Sequence, residues 1–553
     1  MEKGKRSRRW LVPLSCMVIL LATAGFVTST ENDVYLKIDR GITLFGRVYK
    51  EITANYVDEV DPEKFMEAGI EGMLGTLDPY TVYISKDEGD EVDLMTNGNY
   101  GGIGVTIGSR DGIMRVMTVM DGYSAQRQGI LPGDVLLEVD GMSVNNKKTE
   151  DVRNLTRGEP GTQVKVKVQR EGASHPLEFV LTREQIQLHN VTYADFASPG
   201  IGYIRLERFS RRAGEEVRQA IQELKVKGNL DALILDLRGN PGGLLDAAVD
   251  VAGKFLPKGS TVVSTRGRNP ESEKKFVSNE EPLLPSIPVA VLADHGSASA
   301  SEIVAGALQD LDRAVVVGTT TYGKGLVQTI LPLSYGAQLK VTTARYYTPS
   351  GRCIQEVDYQ HKDKNGIFAV TPDSLRKEFQ TAHGRPVYER GGIHPDSLVS
   401  DIDEGPMVRE LSRKALFFSF ANRYVSMHHD EQYAGVTDKI LQEFKKYLET
   451  EKFDFTEDGE AKIKDLRKIA VSSHYSPDVL TDIGEVESLL VKEKQRAFER
   501  YQEYISGELS EELAARYGGE KGRIAASLHE DPQLDAAMAI VKNARLYGKL
   551  LKE

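Results

Sequence analysis

Ala-Leu-Ile-Leu-Asp-Leu-Arg-Gly-Asn-Pro-Gly-Gly, residues 232–243, decides how this chain is read. The run Ala232 to Leu237 is apolar but for Asp236 and does not alternate, as expected of a strand covered on both faces. Gly239, Gly242 and Gly243 then mark a sharp exit from that strand. Ile201 to Leu206 reads as a second strand, and Glu215 to Lys227 as the helix between the two. On the other side, Val289 to Leu292 and Ala314 to Val317 are two more apolar runs, with a helical stretch from Ser301 to Leu311 between them. Strand and helix alternate over about residues 190 to 350, which predicts an α/β domain.

The flanks change character. From about 98 to 185 short strands dominate: Gln163 to Arg170 alternates, with Val164, Val166 and Val168 on one face, and Leu131-Pro132-Gly133-Asp134 is a turn. From about 33 to 95 the chain reads as helices. Val34, Ile38, Ile42, Phe45, Val48, Tyr49 and Ile52 recur at three and four, and Asp61-Pro62 has the form of a helix start. Leu77-Asp78-Pro79-Tyr80 breaks the pattern. Beyond about 400 the sequence is charged, poor in proline and predicted to be helical. Phe417, Phe418 and Phe420 read as core there. The expected divisions are 1–30, 31–97, 98–185, 186–400 and 401–553.

The N-terminus speaks of export. Lys3, Lys5, Arg6, Arg8 and Arg9 precede the apolar run Trp10 to Val27. Ala22-Thr23-Ala24 offers a cleavage pattern, so a cleaved signal and an uncleaved anchor are both open, and a membrane contact is expected only from an uncleaved segment. Leu14-Ser15-Cys16 is a faint lipid-attachment pattern with too short an apolar stretch before it. All these readings place the remaining chain outside the cytoplasm. With 553 residues, 70 Lys+Arg against 82 Asp+Glu and a net charge of −12, the composition excludes global disorder and disfavours nucleic acid as a partner. Two cysteines, Cys16 and Cys353, cannot build a disulfide framework or a Cys-based zinc site.

Chemistry concentrates in three motifs. Gly296-Ser297-Ala298-Ser299-Ala300-Ser301-Glu302 lies between a buried strand and a helix, and Ser299 with Glu302 fits a capping box. Capping alone would account for the serines. A hydroxyl at a helix N-terminus also faces free N–H groups that could hold an oxyanion. His295 is too near in sequence to reach back as a base. Lys324, between Gly323 and Gly325, is the better candidate, provided burial strips its proton. Gln328 is its neighbour in a helical turn but about 13 Å away in a strand, and the sequence leaves this open. A Gly242 or Gly243 N–H could be a second oxyanion donor. A phosphate loop is disfavoured because no Gly-Lys-Ser/Thr follows.

Taken together, Ser-Ala-Ser-Ala-Ser-Glu at 297–302, Thr-Tyr-Gly-Lys-Gly-Leu-Val-Gln at 321–328 and Asp-Leu-Arg-Gly-Asn-Pro-Gly-Gly at 236–243 resemble the C-terminal processing, or tail-specific, serine proteases. Ala344 to Gly351 and Gly391 to Asp396 match family patterns as well, and the likeness runs from about 35 to 400. It implies an α/β multidomain protein: a crotonase/Clp-like protease core, a β-rich PDZ domain over 98–185, and helical N- and C-terminal regions. It makes Ser299 the nucleophile, Lys324 the general base and Gln328 the residue orienting the lysine. The oxyanion hole falls on Ala300 and on Gly242 or Gly243. Gly101, Gly102, Ile103 and Gly104 would hold a substrate's terminal carboxylate, and Asp134 resembles a structural aspartate of the domain. Tyr123 to Gly129 departs from the usual helix entry there.

The implied activity is a Ser-Lys serine endopeptidase acting on exported polypeptides, in the bacterial periplasm or at the outer face of the inner membrane. It would need no metal and no organic cofactor. Its partners would be protein C-terminal tails, and helices at both ends could pair two copies or hold an adaptor protein. The alternative class is a non-catalytic PDZ adaptor or tail-binding chaperone, which has no need of Ser299 with Lys324. A crotonase-type acyl-CoA enzyme is a third, opposed by the export signal.

Overall fold

The computed structural model describes residues 34–86, 94, 96–110, 112–362, 368–370, 376–400, 404–428 and 433–552. The N-terminal run with its export and lipid-attachment patterns lies outside them. Among the described residues no helix is long and apolar enough to cross a membrane.

The centre is a six-stranded sheet in the order Val191–Ser198, Ile201–Leu206, Ala232–Asp236, Val289–Ala293, Val315–Gly318, Ser397–Leu398. Its first pair is antiparallel and the rest are parallel. Parallel strands must be covered on both faces, and the period of two supplies a residue set for each. Leu233, Leu235 and Val291 pack with the helices Ala213–Lys227, Leu245–Gly253 and Ala300–Asp310. Ala232, Ile234, Ala290, Leu292, Val315 and Val317 turn the other way, onto Leu534, Ala537, Ile540 and Val541 of the helix Pro532–Lys542 and onto Tyr547 and Leu551 beyond it. The last 20 or so residues thus complete the core of a sheet that begins more than 300 residues earlier.

A second sheet is antiparallel and carries the lysine motif. Gln338–Tyr347 is its long strand, flanked by Val82–Ile84, Thr261–Arg266 and Leu326–Pro332, with Lys274–Val277 beyond Thr261–Arg266. A separate six-stranded sheet follows the order Val105–Arg110, Ile113–Val119, Val135–Val139, Gln163–Gln169, Leu177–Thr182, with Met142–Ser143 paired to Val135–Val139 off that path. Val164, Val166 and Val168 are buried there, as their alternation predicts. Buried Asp134 accepts from the Leu131 N–H at 3.0 Å and from Arg170 at 2.8 and 2.7 Å, which fixes the turn and gives that carboxylate a structural role.

Residues 34–55 form a helix, and Asp61 caps the next, Pro62–Leu74, by accepting from the Glu63 N–H at 3.0 Å. The periodic apolar residues of the first helix stay largely exposed, Ile38 at 51% and Ile42 at 67%. Among the described residues its amphipathic face meets little beyond Tyr49 stacking on Phe65 and Phe45 lying against Gly69. The helices Gly405–Arg413, Leu416–Met427, Asp438–Thr450, Ala497–Arg500 and Gln502–Ser527 pack around their own cluster, with Phe417 and Phe420 buried against Phe444 and Arg516 over the Phe418 ring.

Candidate active site

Ser299 sits where the central strand Val289–Ala293 hands over to the helix Ala300–Asp310. Its backbone is left-handed, φ 55° and ψ −109°, a conformation that L residues other than glycine rarely adopt and that needs firm support. The neighbouring serines give that support. The Ser297 hydroxyl donates to the Leu237 carbonyl at 2.8 Å, and the Ser301 hydroxyl to the Asn240 carbonyl at 2.9 Å. The Ala298 N–H reaches the same Asn240 carbonyl at 3.0 Å. Both flanking hydroxyls are therefore committed to bolting the glycine loop onto the serine turn. His295 lies on the exposed side of the turn, its ring against Tyr322.

The glycine loop comes close to Ser299. A Cβ on Gly242 would lie 2.7 Å from the Ala298 carbonyl and 2.9 Å from the Ala300 nitrogen, so only glycine fits there. The two candidate donors separate at this point. The Gly242 N–H is already bound to the Asn240 side-chain oxygen at 2.9 Å. Gly243 bridges Phe209 in parallel fashion: the Gly242 carbonyl accepts from Phe209 and the Leu244 N–H donates to Phe209. In that pattern the N–H of Gly243 itself points away from Phe209. The Ala300 N–H lies at the first turn of its helix, beside the Gly242 loop.

Glu302 links the serine to the lysine. It is fully buried, and its two oxygens accept from the Ser299 N–H at 2.8 Å, the Thr321 hydroxyl at 2.5 Å, the Gly323 N–H at 2.7 Å and the Lys324 N–H at 2.9 Å. Burial pushes its carboxyl pKa up, against these four donors. The S-x-x-E spacing showed only its capping half. Its grip on the lysine loop is a tertiary contact with no mark in the sequence. The glycines around Lys324 act as expected: Gly323, at φ +85°, lets the backbone pass Glu356, and the Gly325 N–H donates to Gln355 at 2.7 Å.

Lys324 is half-buried, with its ammonium 4.1 Å from the centre of the Tyr80 ring. Burial first, and Lys340 second, bring its pKa down from the ordinary 10.5 to about 8, against the opposing pull of Glu302 and Asp78. Gln328 lies on the strand Leu326–Pro332, and its amide donates to the Thr342 hydroxyl at 3.2 Å rather than meeting Lys324. That hydroxyl donates in turn to Asp78 at 3.2 Å. The segment Asp78–Tyr80, which the sequence showed only as a break in a helical pattern, thus reaches the lysine from the N-terminal region. One cleft of about 400 Å³ is lined by Ser299, Lys324, Gln328, Gly242, Gly243 and Lys340.

The loop at 101–104 leads from a two-stranded sheet of its own into the separate six-stranded one. Gly101 and Gly102 belong to the strand Asn99–Gly102, paired with Glu184–Gln187, and a Cβ on Gly101 would meet the Gly158 carbonyl at 2.0 Å. The carbonyls of Ile103 and Gly104 accept from Ala125 and Met120. The chain then enters Val105–Arg110, the edge strand of the sheet, which the helix Thr149–Thr156 accompanies. An edge strand following a glycine loop beside a helix is what an extended peptide needs to add itself to a sheet.

Comparison with known proteins adds four family matches: "Peptidase family S41" over residues 200–372, "PDZ domain" over 115–170, "Probable PDZ-protease, C-terminal helical domain" over 407–541, and "Activating protease CtpB N-terminal domain" over 27–88. The "Carboxy-terminal-processing protease" of Bartonella bacilliformis is 37% identical over 347 residues, covering 62% of this chain and 78% of that protein. The "Carboxyl-terminal-processing protease" of Synechocystis sp. is 35% identical over 379 residues, covering 64% and 87%. Among solved structures, the "Photosystem II D1 C-terminal processing protease" is 27% identical, covers 65% of this chain and 92% of that one, and superposes with a TM-score of 0.35.

Proposed function

The chain belongs to the carboxy-terminal processing protease family, serine-type peptidases joined to a PDZ domain, and from that premise we propose that Ser299 and Lys324 form its catalytic dyad. The observation that carries this reading is the place of Lys324: a half-buried amine in the cleft of Ser299, with no carboxylate side chain paired to it among the described residues, and burial that lowers its pKa to about 8. Glu302, which pulls that pKa up, has its oxygens taken by four other donors, which restrains it from recharging the amine.

In the proposed reaction a polypeptide tail lays its terminal carboxylate on the N–H groups of the 101–104 loop and its backbone along Val105–Arg110. A peptide bond upstream reaches the cleft. Lys324 turns from the Tyr80 ring to Ser299 and takes the hydroxyl proton as the oxygen attacks the carbonyl carbon. The oxyanion is held by the N–H groups of Ala300 and Gly243, worth about 3 kcal/mol each. The ammonium returns its proton to the leaving amine, and water then opens the acyl-enzyme. The role proposed for Gln328 is to hold the neutral amine through its side-chain carbonyl once Lys324 has moved. The sheet with its helices on both faces is read as a crotonase/Clp-like core, and the N-terminal pattern as export to the periplasm or the outer face of the inner membrane.

The test is cleavage of an unfolded, apolar-tailed protein. Ser299→Ala and Lys324→Met should each lower kcat by about 10⁴-fold or more while tail binding persists. Undiminished cleavage by Ser299→Ala would remove the nucleophile and with it the mechanism. A tail that wild type binds and never cuts would favour the adaptor reading instead.

A further inference from the structure

The cleft holds a second lysine that this mechanism leaves unused. Lys340 lies on the strand Gln338–Tyr347, in register with Ile330, and two residues before Thr342, so their side chains share the strand face that carries the Gln328–Thr342 bond. It lines the same cleft as Ser299 and Lys324. Burial lowers its pKa, and among the described residues no acid raises it again. An ammonium half out of water with no counter-ion costs stability, and such a cost is retained where the charge has a use.

The groups around Lys324 come from every neighbouring element. Glu302 lies on the serine helix, and Asp78 and Tyr80 come from the N-terminal segment. Tyr322 and Tyr359 hydrogen-bond the Tyr80 hydroxyl, and Arg208 stands on the cleft wall. The two acids favour the charged amine. Lys340 opposes them.

We propose that Lys340 is a positioning residue for peptide cleavage: its ammonium, unpaired among the described residues and placed in the cleft that Lys324 occupies, drives Lys324 to release its proton to solvent and stand as the free amine that accepts the Ser299 proton. Like charges in one cavity disfavour each other's charged form, and Lys340 stands after burial among the causes that lower Lys324. The inference rests on the reading of Lys324 as the base, so it calls for a readout that is independent of turnover.

The experiment measures kcat/KM of the full chain against pH on a tail-bearing polypeptide, for wild type, Lys340→Met and Lys340→Arg. Lys340→Gln replaces the Met variant where that one does not fold. The acid limb should move up on the order of one pH unit in the uncharged variants and stay in place in Lys340→Arg. In parallel, Lys324 is titrated by NMR of ¹³C-dimethylated lysines in a Ser299→Ala chain, its signal assigned by its loss in Ser299→Ala/Lys324→Met. That resonance should show the same upward move. A limb and a resonance both unmoved in the uncharged variants overturn the proposal, as does an equal move in Lys340→Arg. A weakened KM for acidic substrates with an unmoved limb also overturns it, and assigns Lys340 to a substrate carboxylate. Full activity in Lys324→Met sinks the base reading alone, since the resonance still reports the coupling of the two lysines.

Discussion

Lys324 is shifted because burial removes the water its charge would need, and the shift has a sign. A protonated amine cannot take the serine proton, so cleavage limited by chemistry should rise with pH through about 8 and level off above. A pH–rate profile flat from 6 to 10 would contradict this. The same shift enters stability. Between about 8 and 10.5 the unfolded chain binds a proton that the folded chain has released, so the contribution of Lys324 to stability rises with pH across that window. Below pH 8 the full cost of the buried charge is present. Lys324→Met should therefore gain stability relative to wild type at pH 7 and lose that advantage by pH 10.5, as denaturant melts at the two pH values would show. Glu302 is the converse case. Glu302→Ala leaves four donors without an acceptor, at a cost of about 3 kcal/mol or more, and frees the lysine loop. The expected outcome is a large drop in Tm together with loss of cleavage.

Elements decide which candidates meet. Gln328 stands four residues after Lys324, and the strand Leu326–Pro332 turns its amide to Thr342, where a helical turn would have brought the two side by side. Periodicity could not separate those outcomes, because the register with Gln338–Tyr347 is a pairing between distant segments. The serine turn is legible by contrast: strand, short turn and S-x-x-E announce a helix start locally. Gly242→Ala should show how tightly the two loops are joined. Its Cβ would strike the Ala298 carbonyl and the Ala300 nitrogen at a φ of +101°, so cleavage should be lost while tail binding, measured by anisotropy, persists. The loop at 101–104 makes the reciprocal case. Gly101→Ala drives a Cβ into the Gly158 carbonyl, and should raise the Kd of a tail peptide at least tenfold, with slower cleavage only at subsaturating substrate.

At the scale of the molecule, the last two helices, Pro532–Lys542 and Ala544–Leu551, belong to the protease core. Arg238, in the glycine loop, pairs with buried Asp236 at 2.7 Å and with Asp531 at 2.6 Å, and also reaches Gln533 at 3.1 Å. Asp531 caps the helix Pro532–Lys542 by accepting from the Leu534 N–H at 2.9 Å. One carboxylate thus ties the loop beside Ser299 to the helix that covers the far face of the sheet. Asp531→Ala should cost about 3 kcal/mol in a denaturant melt, since it leaves a largely buried arginine with one partner fewer. Ending the chain at residue 530 would uncover Tyr203, Ile234, Leu292 and Val317, each at most 2% exposed, and should give insoluble protein. A soluble, active chain of that length would show that the sheet does not need its second layer.

The sequence by itself determined the alternation of buried strands and helices, the glycines that let loops approach, the order of the three motifs and the serine at a helix start, because propensity, periodicity and turn chemistry act between near neighbours. The tertiary structure alone decided that Glu302 holds the lysine loop, that Tyr80 receives the amine, that Gly243 keeps the free donor and that residues 532–551 cover the sheet. Each of those is a meeting of segments far apart in the chain. Burial and the like charge of Lys340, which lower the pKa of Lys324, exist only once those segments have packed.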